Sequence, residues 1–599
     1  MVKRTTEPKV KNSEEQPESK IETKTTNLVW LRSSRVASAV WYLAAALSFW
    51  SFGYTVLGSS DLWWHIATGR WIIEHRSLPL TDPWSFTRAG LPWLQHEWLS
   101  DVIYQAWIIL FGLGSLVYWK WAVLLITFLI LFAVVRQLAR EHISSYCSVL
   151  LAVAVAAPFL DLRPHLYSLL GYVLLLYVAL VRKRWLPFLP LLFLVWVNLH
   201  AGFIWGLIAL SILLLPSVVS NSEKGRKRPV AIWAICVVVC LLNANGIGAF
   251  TYPMKYAFDS SSPFKSLAEW LPPFVPGGID SPLYPYAIAV FIVAGLFSFL
   301  WPAYRKQKGV PIISLALGLL TLAMSLTSRR FIPLFAISQA LLVAPVLGYL
   351  LSPYAERIPD IVAPVVAAVV GLVWMIPYPV SQHAFHYLAS DDNFPIETCN
   401  FIDVNQLNGN IFAHYRWGGY LNYRTDGKMK VYIDSRADTV YDDQTYMQYA
   451  TVQHYNPGWI DVIENSGAQY ILWPRSREGQ QMSQLLNSGR WRLLYDDFIS
   501  VLLVRTDQPL PDPLKPTSDT AYRRLRDGIH NLEQRRYAEA ESSFQSALDI
   551  MPHLEFACYS LAQVKSLQGN KQGARDTIEE CQRKFPNPVK LKAYEEFLK

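Results

Sequence analysis

Between residues 36 and 378 the sequence runs as a series of apolar stretches of about 16–22 residues, parted by short basic clusters. A helix of that length crosses a hydrocarbon core of about 30 Å. In lipid a chain must satisfy its backbone hydrogen bonds internally, so runs of this kind fold as membrane-spanning helices. Apolar residues make up 52% of the chain and charged residues 17%, but these averages hide a division. Residues 1–35 are rich in Lys, Glu and Thr and read as a disordered cytoplasmic tail. The first apolar run starts late and has no small-residue cleavage site, so it reads as an anchor and not as a signal peptide. Residues 380–599 have soluble composition. The net charge of +8 comes from clusters between apolar runs. Membrane topology explains those clusters, and no basic stripe with interleaved aromatics points to nucleic acid.

The basic clusters orient the chain, since cytoplasmic loops carry the excess of Lys and Arg. The first span, about 36–58, starts beside Arg32 and Arg35, which places the N-terminus inside and residues 59–97 outside. The stretch 98–112 is short and broken by Gly112 and Gly114, and reads as re-entrant or interfacial. Spans at about 115–135, 144–160 and 166–181 follow, with Arg136, Arg140 and Arg182–Arg184 inside. Two spans flank an outer turn at Asn198 and His200 and return to Lys224–Arg228. The spans at about 229–249, 283–303, 310–327, 331–351 and 361–378 complete about eleven crossings. A long outer loop, 250–282, lies among them, and the C-terminal region ends outside. The expectation is a multi-pass protein of the inner membrane with extracytoplasmic C-terminal domains.

This topology gathers the unusual polar residues on the outer face: Asp61, His65, His96, Glu97, Asp161, Arg163, His165, Asn198, His200, Arg329 and Arg330. Ionisable groups near membrane depth are costly and usually face a cavity where they act. The first outer loop opens with Asp61 and His65, four residues apart and so on one face of a helix. That helix is expected to lie in the lipid interface on Trp63, Trp64, Ile66, Trp71 and Ile72. Pro79, Asp82 and Pro83 break it, and Pro92 closes a second turn before His96 and Glu97. Asp61, His65, His96 and Glu97 offer mixed nitrogen and oxygen ligands to a divalent metal, but at spacings that match no specific metal motif.

The segments DLWWHIATGRWI, TDPWSFT, PWLQHEWLS, DLRPHLYS, WGGYL and YIDSRAD resemble a bacterial group of GT-C-like membrane proteins over about 59–505. The architecture of 36–378 is similar to the wider GT-C glycosyltransferases, which include protein O-mannosyltransferases, aminoarabinose transferases and oligosaccharyltransferase catalytic subunits. Asp61 is followed by Leu62, so the adjacent acid pair of many mannosyltransferases is absent. The resemblance implies transfer of a sugar from a polyprenyl-phosphate donor on the outer side of the membrane. Asp61 then takes the place of the first-loop acid, as a base or a metal-held carboxylate, with His65, His96 and Glu97 beside it. Arg163, His165, Arg329 and Arg330 are the expected phosphate-binding groups. The plainer readings are a local ion pair with Asp161 for Arg163 and an interfacial snorkelling side chain for Arg330. A non-catalytic scaffold with a GT-C-like body is the alternative to an enzyme. A transporter fits less well, because it would want its polar groups near the midplane.

Residues 380–506 are expected to form a small extracytoplasmic α/β domain. GNIFAHY, MKVYIDS, AQYILWP and FISVLLVR read as buried strands, and 443–455, 458–466 and 478–489 as helices. Trp417-Gly418-Gly419 suggests a turn with close backbone approach. Asp434, Arg436 and Asp438 read as an internal salt-bridge knot or as a functional loop after a strand. In 519–599, Gly528, Ala540, Phe544, Ala547 and Pro552 match a TPR unit, and Ala562, Ala574 and Pro586 a second. Two units rarely stand alone, so the array is expected to lean on the α/β domain or on a protein partner. The six cysteines include no CxxC; Cys236 and Cys240 read as small core residues. Cys558 and Cys581 lie equally far from the turn at Gly569–Asn570, so they either face each other or simply pack.

Overall fold

A computed structural model describes residues 35–53, 59–219, 223–258, 261–355, 361–375, 394–475, 479–552 and 554–584. The N-terminal tail, the link from the first span to the first loop, the 376–393 connection and Pro586 lie outside these residues. Among the described residues, three helices are long and apolar enough to cross a membrane: Leu113–Ala139, His142–Phe159 and Arg329–Tyr354. Tyr284–Leu300 and Pro302–Lys308, bent by 84° at their junction, make a fourth if taken as one span. The other apolar runs are shorter helices of 10–17 residues, among them Val36–Trp50, Phe203–Val218 and Val362–Val373. Local breaks divide them. The helix His165–Leu176 passes into a wider turn at Tyr177–Val181, and Pro187 stands in the tight turn before Leu189–Leu199. Val365, Val366, Val369 and Val370 present an exposed apolar face, as do Val290, Val293, Leu296 and Phe299. Faces of this kind suit contact with lipid.

Helix α1 (Arg35–Gly53) packs in the bundle, and α2 (Asp61–His75) follows it. The tryptophans of α2 were expected in lipid, but Trp63 and Trp64 are buried in protein and Trp71 is half-buried. Trp63 is 2% exposed and lies edge-on to Phe394 and Tyr420; Trp64 packs near Trp93. The physical reason is that α2 has a protein partner on each side. On one side is α3 (Trp98–Phe111), and a Cβ on Gly69 would stand 2.1 Å from the Asp101 carbonyl oxygen. On the other is the soluble-domain helix Tyr415–Thr425, where a Cβ on Gly419 would meet the Ser60 carbonyl at 3.1 Å. Gly418 and Gly419 therefore sit inside a helix and not in the expected turn. The close approach is real, since a Cβ on Gly418 would lie 2.6 Å from the Ile433 carbonyl.

The soluble sheet has five strands: β1 (Gly409–Ala413), β2 (Met429–Val431), β3 (Tyr470–Pro474), β4 (Trp491–Asp496) and β5 (Ser500–Arg505), in the order β2-β1-β3-β5-β4. β1 pairs parallel with β2 and β3; β5 pairs antiparallel with β3 and β4. β4 was not anticipated. It is an edge strand with exposed Arg492 and Leu493, so it lacks the continuous apolar run of a central strand. The other edge, β2, is capped by the loop after α2, where Ser85 bridges Val431 and the Phe86 N–H donates to its carbonyl at 3.1 Å. An otherwise open edge is thus closed.

Four helices, Ala521–Glu533, Tyr537–Ile550, Glu555–Leu567 and Lys571–Lys584, stack around Leu525, Phe544 and Leu561 at the C-terminal end. Gly528 lies where a Cβ would strike the Phe544 ring at 2.5 Å. The stack leans on the α/β domain: Asp496 accepts from His530 at 2.8 Å and Arg475 pairs with Glu533 at 2.7 Å. Cys558 and Cys581 are joined as a disulfide with their Cα atoms 6.1 Å apart. Thiol labelling of the unreduced, unfolded protein should therefore leave both unmodified, and reduction should expose them. Loss of the bridge is expected to cost about 2–4 kcal/mol. Labelling of both without reductant would show that the bridge does not form.

Candidate functional site

The loop after α2, the turns between apolar helices and the α/β domain meet at the N-terminal end of α2. Asp61 begins that helix, and its N–H donates to the Ser59 hydroxyl at 3.2 Å. Arg163, in the turn before His165–Leu176, donates to the Asp61 carboxylate. Its other terminal nitrogen donates to Glu269 at 2.5 Å. Glu269 also pairs with Arg330 at 3.5 Å, and the Arg330 guanidinium lies 4.7 Å from the Trp270 ring centre. The result is an unbroken ionic chain, Asp61–Arg163–Glu269–Arg330. Its side chains are 12%, 29%, 19% and 35% exposed, so the two arginines are partly exposed and the two carboxylates largely buried.

Beside the chain lies a second cluster, built around Glu97. The Nε2 atoms of His96 and His200 each stand 3.6 Å from its carboxylate, and that of His65 stands 3.8 Å away. These separations exceed a hydrogen bond. Behind His65 the buried Asp101 holds Nδ1 at 2.5 Å and receives Gln95 on its other oxygen at 2.7 Å. His200 Nδ1 receives the Gly202 N–H at 3.0 Å and lies 2.7 Å from the Ser168 hydroxyl. Burial pushes Glu97 up to about 7; nearby His65 opposes this and Asp101 adds to it. Burial likewise pushes His65 and His96 down to about 4, so both imidazoles are neutral at pH 7. The charge of Arg330 acts on Glu97, His96 and Asp438, which ties the two clusters into one electrostatic neighbourhood.

The two remaining phosphate candidates are used for structure. His165 Nε2 is 2.7 Å from the Phe159 carbonyl and closes a turn. Arg329 is 1% exposed and spends its guanidinium on the 272–280 loop. It donates to Pro272 O at 3.0 Å, Ile279 O at 2.9 Å and Asp280 at 3.1 Å, and also to Val275 O. A Cβ on Gly278 would lie 2.5 Å from that guanidinium, so a side chain there would push Arg329 out of this position. Arg329 is therefore turned away from the ionic chain that Arg330 joins. Arg163 pairs with distant acids, so the local pairing with Asp161 is not needed to explain it.

The metal expectation does not fit these residues. Asp61 is tied to Arg163 and His65 Nδ1 to Asp101. Among the described residues no group of three or more His, Cys, Asp or Glu side chains could hold an ion.

The soluble domain contributes Asp438, which accepts from Tyr252 at 3.0 Å. Next to it lies a buried knot. Arg436 donates to both Asp434 oxygens through Nε, at 2.9 and 3.1 Å, and to Asp82 of the first loop at 2.6 Å. All three side chains are fully buried. Trp84 and Trp93 flank the guanidinium, their ring centres 5.1 and 4.8 Å away. The knot reading of Asp434 and Arg436 is thus met, with a partner in another part of the chain. Asp101 and Glu269 were not singled out from sequence, and Asp82 only as a helix breaker. Asp101 stands four residues after Glu97, which is a usable signal; Glu269, in a long loop, carries none.

No family model matches the sequence, and no curated protein matches it. Among solved structures the chain is similar to the archaeal oligosaccharyltransferase AglB from Archaeoglobus fulgidus in complex with an inhibitory peptide and a dolichol-phosphate. That match has 12% identity and a TM-score of 0.48, and covers 90% of this chain and 86% of that one. It is also similar to ArnT from Cupriavidus metallidurans bound to undecaprenyl phosphate, with 15% identity and a TM-score of 0.40, over 81% of this chain and 99% of that one.

Proposed function

We propose that this protein is a GT-C-type glycosyltransferase of the inner membrane that moves a sugar from a polyprenyl-phosphate donor to an acceptor hydroxyl on the outer face. In this reading about eleven crossings place the N-terminus in the cytoplasm and both C-terminal domains outside. The observation that carries it is the partly exposed Arg163 and Arg330, both on Glu269, beside a buried carboxylate, Glu97, whose affinity for a proton is raised. Two guanidinium groups suit a phosphate, because each can donate two parallel hydrogen bonds. Transfer breaks the bond between the anomeric carbon and the phosphate oxygen. The electron pair goes to the phosphate, where Arg163 and Arg330 balance the charge. The acceptor oxygen forms the new bond to that carbon and gives its proton to Glu97. Asp61 fixes Arg163 and stands where an acceptor hydroxyl could donate to it.

The C-terminal helices, read as TPR-like repeats, would present a protein-binding face outside the membrane. The scaffold alternative draws on one observation: Asp61 is held by Arg163. Kinetics in proteoliposomes carrying a polyprenyl-phosphate sugar separate the two readings. Arg330→Ala should raise KM for the lipid donor by about 10–100-fold, the worth of a hydrogen bond to a charged group. An unchanged KM, or the absence of any transfer by the native protein across lipid-linked sugars, would favour the scaffold.

A further inference from the structure

The place where a phosphate would sit is taken by the protein's own carboxylate. Glu269 lies between Arg163, at 2.5 Å, and Arg330, at 3.5 Å, and so bridges the two cations much as a phosphate oxygen pair would. Its backbone is fixed, because its carbonyl accepts from the Arg330 N–H at 3.0 Å and from the Ser328 hydroxyl at 3.1 Å. The loop beyond it is pinned by Arg329. Departure of the carboxylate therefore needs only rotation of the side chain, with no movement of the loop. Burial opposes ionisation of Glu269, but Arg163 and Arg330 outweigh it and hold the carboxyl at about 2, so the bridge is an anion throughout the physiological range.

We propose that the Glu269 carboxylate is a stand-in for the phosphate group of a lipid ligand, occupying the Arg163–Arg330 site until the ligand displaces it. This deepens the phosphate reading above and rests on it. The stand-in keeps two neighbouring guanidinium groups apart and charge-balanced when no lipid is bound. It also sets a threshold for entry. A ligand that must displace a competitor binds with an affinity lowered by the fraction of sites left open. A bridge closed in nine molecules of ten would weaken binding by about tenfold. A neutral polyprenol gains nothing by displacing it, so the same carboxylate selects for phosphorylated lipid, because its departure costs Arg163 and Arg330 an ion pair each unless an anion replaces it.

The sign of the effect separates this role from a structural or ligand-holding one, because removing a holding group weakens binding. The test uses the full-length protein in detergent, with farnesyl phosphate as probe, farnesol as its uncharged counterpart and inorganic phosphate to separate lipid headgroup from free anion. Glu269→Gln should tighten farnesyl phosphate by about tenfold and leave farnesol unchanged. Glu269→Asp, one methylene shorter and unable to bridge both cations, should fall between; it also serves if the glutamine variant folds poorly. Asp61→Asn, which relieves Arg163 alone, should gain less. Equal or weaker binding by Glu269→Gln, or the same gain from Asp61→Asn, would overturn the proposal while leaving the phosphate site standing. Binding of inorganic phosphate as tight as that of farnesyl phosphate would overturn its lipid assignment. Failure of the native protein and Glu269→Gln alike to bind farnesyl phosphate would remove the phosphate reading itself, and the stand-in with it.

Discussion

Glu97→Gln should slow sugar transfer by about 10²–10⁴-fold, the usual worth of a positioned proton acceptor. The glutamine keeps the shape of the side chain and loses only the ability to take a proton. The native protein should show kcat/KM rising with pH through about 7. Burial holds the Glu97 carboxyl near that value, and only the deprotonated form accepts the proton. The groups around it are His65, His96, His200, Asp101, Arg330 and Glu269. His65 and His96 change charge near pH 4 and Glu269 near 2, so they do not produce a limb at 7. The limb should vanish in Glu97→Gln. Asp61→Asn should also remove transfer while leaving membrane insertion intact. Its loss should appear in kcat and not as weaker donor binding, because removing the Asp61 carboxylate frees Arg163 for the phosphate. Full turnover in a well-inserted Asp61→Asn protein would take Asp61 out of the site. A limb at 7 that survives Glu97→Gln would assign it to another group.

Arg436→Met is the second large effect, and it is one of stability. The methionine matches the length of the stem but leaves Asp82 and Asp434 as fully buried carboxylates with no cation. Breaking a buried pair in this way costs about 3–5 kcal/mol, a large part of the roughly 5–15 kcal/mol that holds a domain together. The loss should appear as protease sensitivity of the loop after α2, since Asp82 sits where that loop caps β2. Replacing all three charges, as Asp82→Asn, Asp434→Asn and Arg436→Met together, should recover much of the loss because no uncompensated charge remains. If Arg436→Met alone resists protease as well as the native protein, the knot does not hold the loop to the domain.

The legible parts of the site were those that follow from local spacing. Asp61 and His65 share a helix face, as their four-residue offset requires, and His96 and Glu97 do arrive beside them. What misled was the composition of α2. Three tryptophans in a loop next to a membrane look like an interfacial belt, yet Trp63 and Trp64 are core residues, because Tyr415–Thr425 of the soluble domain covers them. Nothing in residues 61–75 announces a partner more than 350 positions away. Likewise Arg329 and Arg330 are neighbours in sequence with the same chemistry. Only the backbone at the start of the Ile332–Ala355 helix decides that one turns into the 272–280 loop and the other toward Glu269.

The sequence by itself determined the apolar helices, the strands β1, β2, β3 and β5, and the Gly, Ala and Phe positions of the C-terminal helix pairs. Each of these depends on residues within one or two turns or strands of one another, so periodicity and spacing record them. Tertiary structure alone decided the partners of the charges. Arg163 meets Asp61 across 102 positions and Glu269 across 106, and Arg436 meets Asp82 across 354. An ion pair needs no particular spacing along the chain. It needs two groups brought within a few ångströms by the packing of everything between them, and that is settled only when helices, first loop and soluble domain close on one another.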